Sequence, residues 1–154
     1  MSTATLTGRA PATQARSLTE RLKEDPGYQA FLLLRIGFAV APILFGLDKF
    51  FDVMVDWQIY LASPINDLIP GSAADAMYAV GVIEIAAGVA VATKPRYGAY
   101  LVAAWLAGII VNLLIVSDYY DIALRDFGLM LGALTLARLA SRYDPPGLGL
   151  PARS

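Results

Sequence analysis

Four runs of apolar residues follow one another along the chain, separated by short polar breaks. They cover about Tyr28 to Phe51, Ala74 to Thr93, Tyr97 to Ser117 and Asp121 to Ala140. A hydrocarbon layer ~30 Å thick takes ~20 helical residues at ~1.5 Å each, so every run is long enough to cross one. None alternates with the period of two that a barrel strand needs, and only helices or closed barrels satisfy the backbone inside lipid. The pattern predicts an all-α integral membrane protein, a bundle of four transmembrane helices. The third run has no charge; the second has Asp75 at its start and one charge in its interior, Glu84. The first carries Arg35, Asp48 and Lys49. The fourth, with Arg125 and Asp126 in its first turns and Arg138 near its end, is the least apolar.

The breaks between the runs predict the rest of the organisation. Residues 1–27 read as a flexible cytoplasmic tail with a short helix from Ser17 to Glu24, residues 28–140 as the membrane domain, and residues 141–154 as a second flexible cytoplasmic tail. Basic residues lie before the first run, in the Lys94-Pro95-Arg96 turn, and after the fourth run, whereas no Lys or Arg occurs between Phe50 and Lys94. By the positive-inside rule both termini are cytoplasmic. The first outer loop predicts a short interfacial helix over Val53 to Ala62. Trp57 and Tyr60 would lie at headgroup level, with Tyr119 and Tyr120 completing the belt. Ser63-Pro64 and Pro70-Gly71 mark turns.

Composition agrees with the pattern and removes whole classes of chemistry. Hydrophobic residues make up 57% and charged residues 16% of the 154, against roughly 25% charged in an ordinary soluble domain; the mean hydropathy is +0.56. The chain has no cysteine and no histidine. Its own side chains therefore offer no thiolate, no disulfide and no imidazole for haem, zinc or proton transfer. The formal net charge of −1, without a basic run, argues against nucleic acid as a partner. No metal site is expected.

The polar residues inside the runs are the candidate functional positions. Glu84 lies nine residues from Asp75 and nine from Thr93, near the midplane of its helix. An intramembrane carboxylate is a functional candidate by default; the alternative is a structural pin between helices. The functional readings are proton handling or a contact to a quinone-like headgroup. Depth along the first run makes Arg35 the expected partner of Glu84, with Lys49 and Arg125 as alternatives. A second polar group collects Asp48, Lys49, Asp52, Asn112, Asp121, Arg125 and Asp126 at the outer end. That group predicts an outward-opening polar cleft, or interfacial salt bridges without a ligand. Gly81 and Gly88 flank Glu84 on one face, Gly108 lies on the third run, and Gly128 with Gly132 forms a GxxxG on the fourth. These glycines are the expected helix-packing positions, with the second and fourth helices meeting through them.

Leu34-Arg35-Ile36, then Gly46-Leu47-Asp48-Lys49-Phe50, then Gly81-Val82-Ile83-Glu84-Ile85 with Gly88, resemble the DoxX-like family of small bacterial membrane proteins. The likeness spans about Phe31 to Ala140. It implies a four-helix protein of the bacterial cytoplasmic membrane, with Arg35, Lys49 and Glu84 matching the family's polar pattern. The family's namesakes include a subunit of an archaeal thiosulfate:quinone oxidoreductase, and other members are linked to membrane-associated redox assemblies. Thiol relay chemistry described for some relatives is closed to a chain without cysteine.

The expected function is thus an accessory or anchoring subunit of a larger membrane assembly, redox-linked by the family likeness, not a self-contained enzyme. No catalytic residue or resident cofactor is assigned, a quinone being the one candidate ligand. One alternative is a quinone-interacting subunit of a membrane oxidoreductase. The other is an oligomeric pathway for a small solute or protons. The expected partners are the lipid bilayer and other membrane subunits or further copies of the chain.

Overall fold

The computed structural model describes residues 18–66 and 71–144. Among them all regular structure is helical: α1 (Leu18–Glu24), α2 (Pro26–Asp48), a single 3-10 turn (Trp57–Tyr60), α3 (Ser63–Asn66), α4 (Ala73–Thr93), α5 (Pro95–Val116) and α6 (Tyr120–Tyr143). Most of each sequence-predicted tail, residues 1–17 and 145–154, lies outside the described residues.

Local chemistry explains where the helices begin and end. Asp25 caps α2, its carboxylate accepting from the Tyr28 N–H, and Pro26 starts the first turn, where its missing N–H is harmless. Ser72 and Asp75 form a reciprocal capping box at the start of α4. Pro95 separates α4 from α5, and Ser117, at φ +70°, turns the chain out of α5. Pro42 lies within α2, which nevertheless continues to Asp48.

Three helices, α2, α4 and α5, are long and apolar enough to cross a membrane. With 24 residues α6 is longer than any of them, yet Asp121, Arg125, Asp126, Arg138 and Arg142 make it less apolar. By length and composition the structure therefore has three candidate spans where the sequence pattern predicts four. The long helices form a closed ring in which α2 packs on α4, α4 on α5, α5 on α6 and α6 back on α2. Phe31, Val91, Ala99, Ala133, Leu136, Ala137 and Ala140 fill the interior toward the end that holds Asp25 and Tyr143. The outside is as apolar as the inside: Leu33 and Leu124 are 75% and 72% exposed. A protein in water avoids such surfaces, and a lipid environment covers them.

That end is fastened by one side chain, Tyr143, which joins the end of α6 to the start of α2. The Tyr143 hydroxyl donates to Asp25 at 3.0 Å, and the Tyr143 ring packs on Tyr28 and Phe31.

The opposite end, called distal below, departs from expectation. In place of an interfacial helix over Val53 to Ala62 there is only the 3-10 turn, flanked by extended backbone at Asp56 and Leu61. The reason lies in the side chains that take over the backbone hydrogen bonds. Asp48 accepts from the N–H groups of Val53 and Met54, and Asn112 accepts from the Ala62 N–H and donates to the Tyr60 carbonyl. Helix α2 stops opposite Gly81, and the Phe50 ring stacks on Tyr78 just beyond. The first two turns of α4, about 12 Å at ~1.5 Å per residue, thus run past the end of α2. The 3-10 turn packs there against α4 and α5. At Ser63-Pro64 the chain forms α3 in place of a simple turn. Gly71, at φ +112°, makes the turn expected there and supplies a conformation that a side chain would strain.

Candidate functional site

The site is built where α2 ends. Lys49 follows the last helical residue and points its ammonium back into the bundle. Its Nζ lies 2.7 Å from Glu84 Oε2 on α4, with the two side chains only 4% and 11% exposed. The Trp57 ring covers the same ammonium, its centroid 3.8 Å from Nζ. The cation is thus held between a carboxylate and an aromatic face, both of which favour a desolvated positive charge.

Trp57 is itself fixed by Asp48, whose Oδ2 accepts from the indole N–H at 2.7 Å. Asp48 is buried, and its charge is answered by three N–H donors: Val53, Met54 and Trp57. From α5 the Trp105 indole faces the same interior. Its Nε1 is buried and lies beside the Glu84 carboxylate without completing a well-aligned hydrogen bond to any described residue. From α6, Asp126 is buried next to this group, and its ion contact is with Arg125 Nε at 3.5 Å. Four helices therefore bring Lys49, Glu84, Trp105 and Asp126 toward one interior region, with Trp57 as its distal wall.

Glu84 takes Lys49 and not Arg35, and the register of α2 against α4 shows why. Arg35 Nη2 donates to the Ala92 carbonyl at 2.6 Å, and its guanidinium lies over the Phe31 ring. Ala92 is two turns from Glu84 along α4, about 12 Å at ~1.5 Å per residue. Arg35 instead meets the C-terminal carbonyl end of α4, where a cation is favoured by the helix dipole. Lys49, in contrast, stands beside Gly81, one turn from Glu84. Counting depth from Tyr28 places Arg35 too deep, because α2 extends well beyond the end of α4. Arg125, the other alternative, is 68% exposed at its side chain and meets Asp126 rather than Glu84.

Asn112 does not line an open cleft. Both ends of its amide are used to hold the segment between α2 and α3 against α5. The glycines also divide. A Cβ on Gly46 would come within 2.6 Å of the Gly81 carbonyl, and one on Gly88 within 2.6 Å of the Ala39 carbonyl. Gly46, Gly81 and Gly88 thus let α2 and α4 touch backbone to backbone. The expected meeting of the second and fourth helices through glycine does not occur: Gly81 and Gly88 lie against α2, and Gly132 lies against Phe38 of α2. Gly108 and Gly128 have nothing within 4 Å, so they open onto the outside of the bundle. Gly98, against the backbone of Ala90 and Val91, is a close packing position that the sequence pattern misses.

Trp105, and the Asp48–Trp57 contact, are also not singled out by sequence. An acid at the last turn of a helix, followed by a stretch that lacks helical periodicity, is the signal that would have found the latter. No group of three or more acidic side chains arranged to hold a metal ion occurs among the described residues. Compared with protein-family models, with curated proteins and with solved structures, the chain finds no match.

Proposed function

We propose that the chain is a four-span, DoxX-like protein of the bacterial cytoplasmic membrane, with both termini cytoplasmic, that serves as an accessory or anchoring subunit of a larger, redox-linked membrane assembly. The observation that carries this reading is how the buried polar residues are used. Asp48 and Asn112 are spent on the backbone of the distal segment, and Lys49 with Glu84 forms a closed ion pair. These groups hold a fold together, while the outer surface of every long helix is apolar. A chain built in this way supplies a scaffold, and the chemistry comes from what it binds. The crossing of α6 belongs to the same proposal. Its charges fall near its two ends or, for Asp126, inside the bundle, and its middle buries Ala133, Leu136 and Ala137.

A second reading, a quinone-interacting subunit, is favoured by one feature, the buried Trp105 N–H, which lies by the Glu84 carboxylate without a well-aligned hydrogen bond. A quinone carbonyl is an acceptor that such a donor can take. Purification of the full chain in a mild detergent, with identification of co-purifying proteins and extraction of bound lipids, separates the readings. A stable redox partner supports the accessory role, and quinone without a partner supports the second reading. A homo-oligomer with neither overturns both in favour of an oligomeric solute or proton pathway.

A further inference from the structure

The segment from Asp52 to Ala62 is held at three places, none of them by regular secondary structure. At its start, Asp52 has φ +48°, a left-handed conformation that aspartate tolerates better than most residues, and the Asp52 N–H returns to the Asp48 carbonyl. In its middle, the Asp48 carboxylate holds the Val53 and Met54 N–H groups and the Trp57 indole. At its end, Asn112 grips Tyr60 and Ala62, and the Tyr60 ring packs on Tyr119 at 4.8 Å. Between the second and third of these lies the one ring that covers Lys49. Lys49 is 4% exposed, and the Trp57 ring lies over its ammonium.

We propose that Asp52 to Ala62 form a re-entrant strap that closes the distal mouth of the bundle over the Lys49–Glu84 pair and opens when the Asp48 carboxylate releases Trp57. The two fastenings differ in kind. Asn112 and Tyr119 form the fixed end, since the Asn112 amide is matched by one backbone donor and one backbone acceptor. Asp48 is the latch, because a single carboxylate carries three bonds to the moving part and they are lost together. Beneath the strap, the Trp105 indole faces the Glu84 carboxylate, so opening exposes an interior with polar groups from α2, α4 and α5. Nonhelical backbone at membrane depth persists only where protein groups satisfy it, and here two side chains do so. This inference does not depend on the identity of any partner.

The test is amine acylation of the full chain, purified in mild detergent, by a sulfonated succinimidyl acetate, with modification mapped by mass spectrometry. Lys94 is exposed and serves as the internal reference. In the unaltered protein Lys49 is expected to react at least about tenfold more slowly than Lys94. Asp48→Asn and Trp57→Ala are each expected to raise its rate by about tenfold or more, the factor that ~1.4 kcal/mol of lost closure gives.

A second arm uses Tyr60→Cys with Tyr119→Cys, the only two thiols in a chain without cysteine. With the latch intact, this variant is expected to keep Lys49 slow whether or not a short bis-maleimide joins the two thiols. Adding Trp57→Ala to it is expected to raise the Lys49 rate in both states, so the latch is read apart from the fixed end even where Asp48→Asn does not fold. Equal reactivity of Lys49 and Lys94 in the unaltered protein overturns the proposal. So does a Lys49 rate left unchanged in the folded latch variants, or one set by the bridge alone.

Discussion

Replacing Lys49 by methionine removes the ammonium and keeps most of the apolar stem. Its consequence follows from the geometry of the pair. The two charges lie 2.7 Å apart and both side chains are nearly inaccessible. At ~4 Å between charge centres and an effective dielectric of ~20, their attraction is about 4 kcal/mol. Burial costs several kcal/mol per ion, so the intact pair contributes little net stability. Removing one partner leaves the other charge buried and uncompensated, a loss of about 3–5 kcal/mol. For a chain of this size the expected fall in melting temperature is on the order of 10 °C.

Lys49→Met with Glu84→Leu removes both charges and is expected to recover most of that loss. Arg35→Leu deletes one partly exposed hydrogen bond to Ala92 and is expected to cost about 1 kcal/mol. Combined with Glu84→Leu, its effect is expected to add within about 0.5 kcal/mol, as for sites that share no partner. The assay is thermal unfolding in one detergent, followed by helical circular dichroism for these four variants and for Glu84→Leu alone. A double variant of Lys49 and Glu84 no more stable than Lys49→Met alone, or strong coupling between Arg35 and Glu84, would refute the pairing.

Further outcomes follow from the same structure. Gly88→Ala is expected to cost more than 1 kcal/mol, because its Cβ meets the Ala39 carbonyl, whereas Gly108→Ala and Gly128→Ala are expected to be neutral or to stabilise by up to about 1 kcal/mol through helix propensity; melting temperatures of the three decide this. Asn112→Leu strands the Ala62 N–H and the Tyr60 carbonyl and is expected to destabilise by about 2 kcal/mol, read as increased proteolysis between Asp52 and Ala62. The Tyr28 N–H, with the Tyr143 hydroxyl assisting, holds the Asp25 carboxyl below the usual carboxylate range. A depressed folded value gives a stabilisation that is complete above the unfolded value near pH ~4 and lost as the pH falls through the folded one. Asp25→Asn is therefore expected to lower stability at pH 7 and to flatten its fall below pH ~4, measured as melting temperature against pH.

The hydrophobic pattern alone locates the long helices, because a run of twenty apolar residues has few other fates in so small a chain. Their partners are less legible. Nothing in the sequence shows that α2 begins two turns before the end of α4, and that offset moves Arg35 to Ala92 and Lys49 to Glu84. The glycines illustrate the same limit: GxxxG marks Gly128 and Gly132 together, but only the bundle shows one facing outward and the other Phe38. Trp57 reads as an interfacial anchor from its neighbours. Its actual place over Lys49 depends on a carboxylate nine residues earlier that no periodicity connects to it.

The central claim, that α6 crosses the membrane with its far end on the side of both termini, is tested most directly by single-cysteine accessibility in a chain that has none of its own. Asp56→Cys, Lys94→Cys, Asp118→Cys and Asp144→Cys are treated in intact cells with a membrane-impermeant maleimide. The account predicts modification at positions 56 and 118 and protection at 94 and 144 until the cells are opened. Modification of Asp118→Cys and Asp144→Cys alike, or protection of both, would contradict it, because the two ends of α6 would then lie on one side.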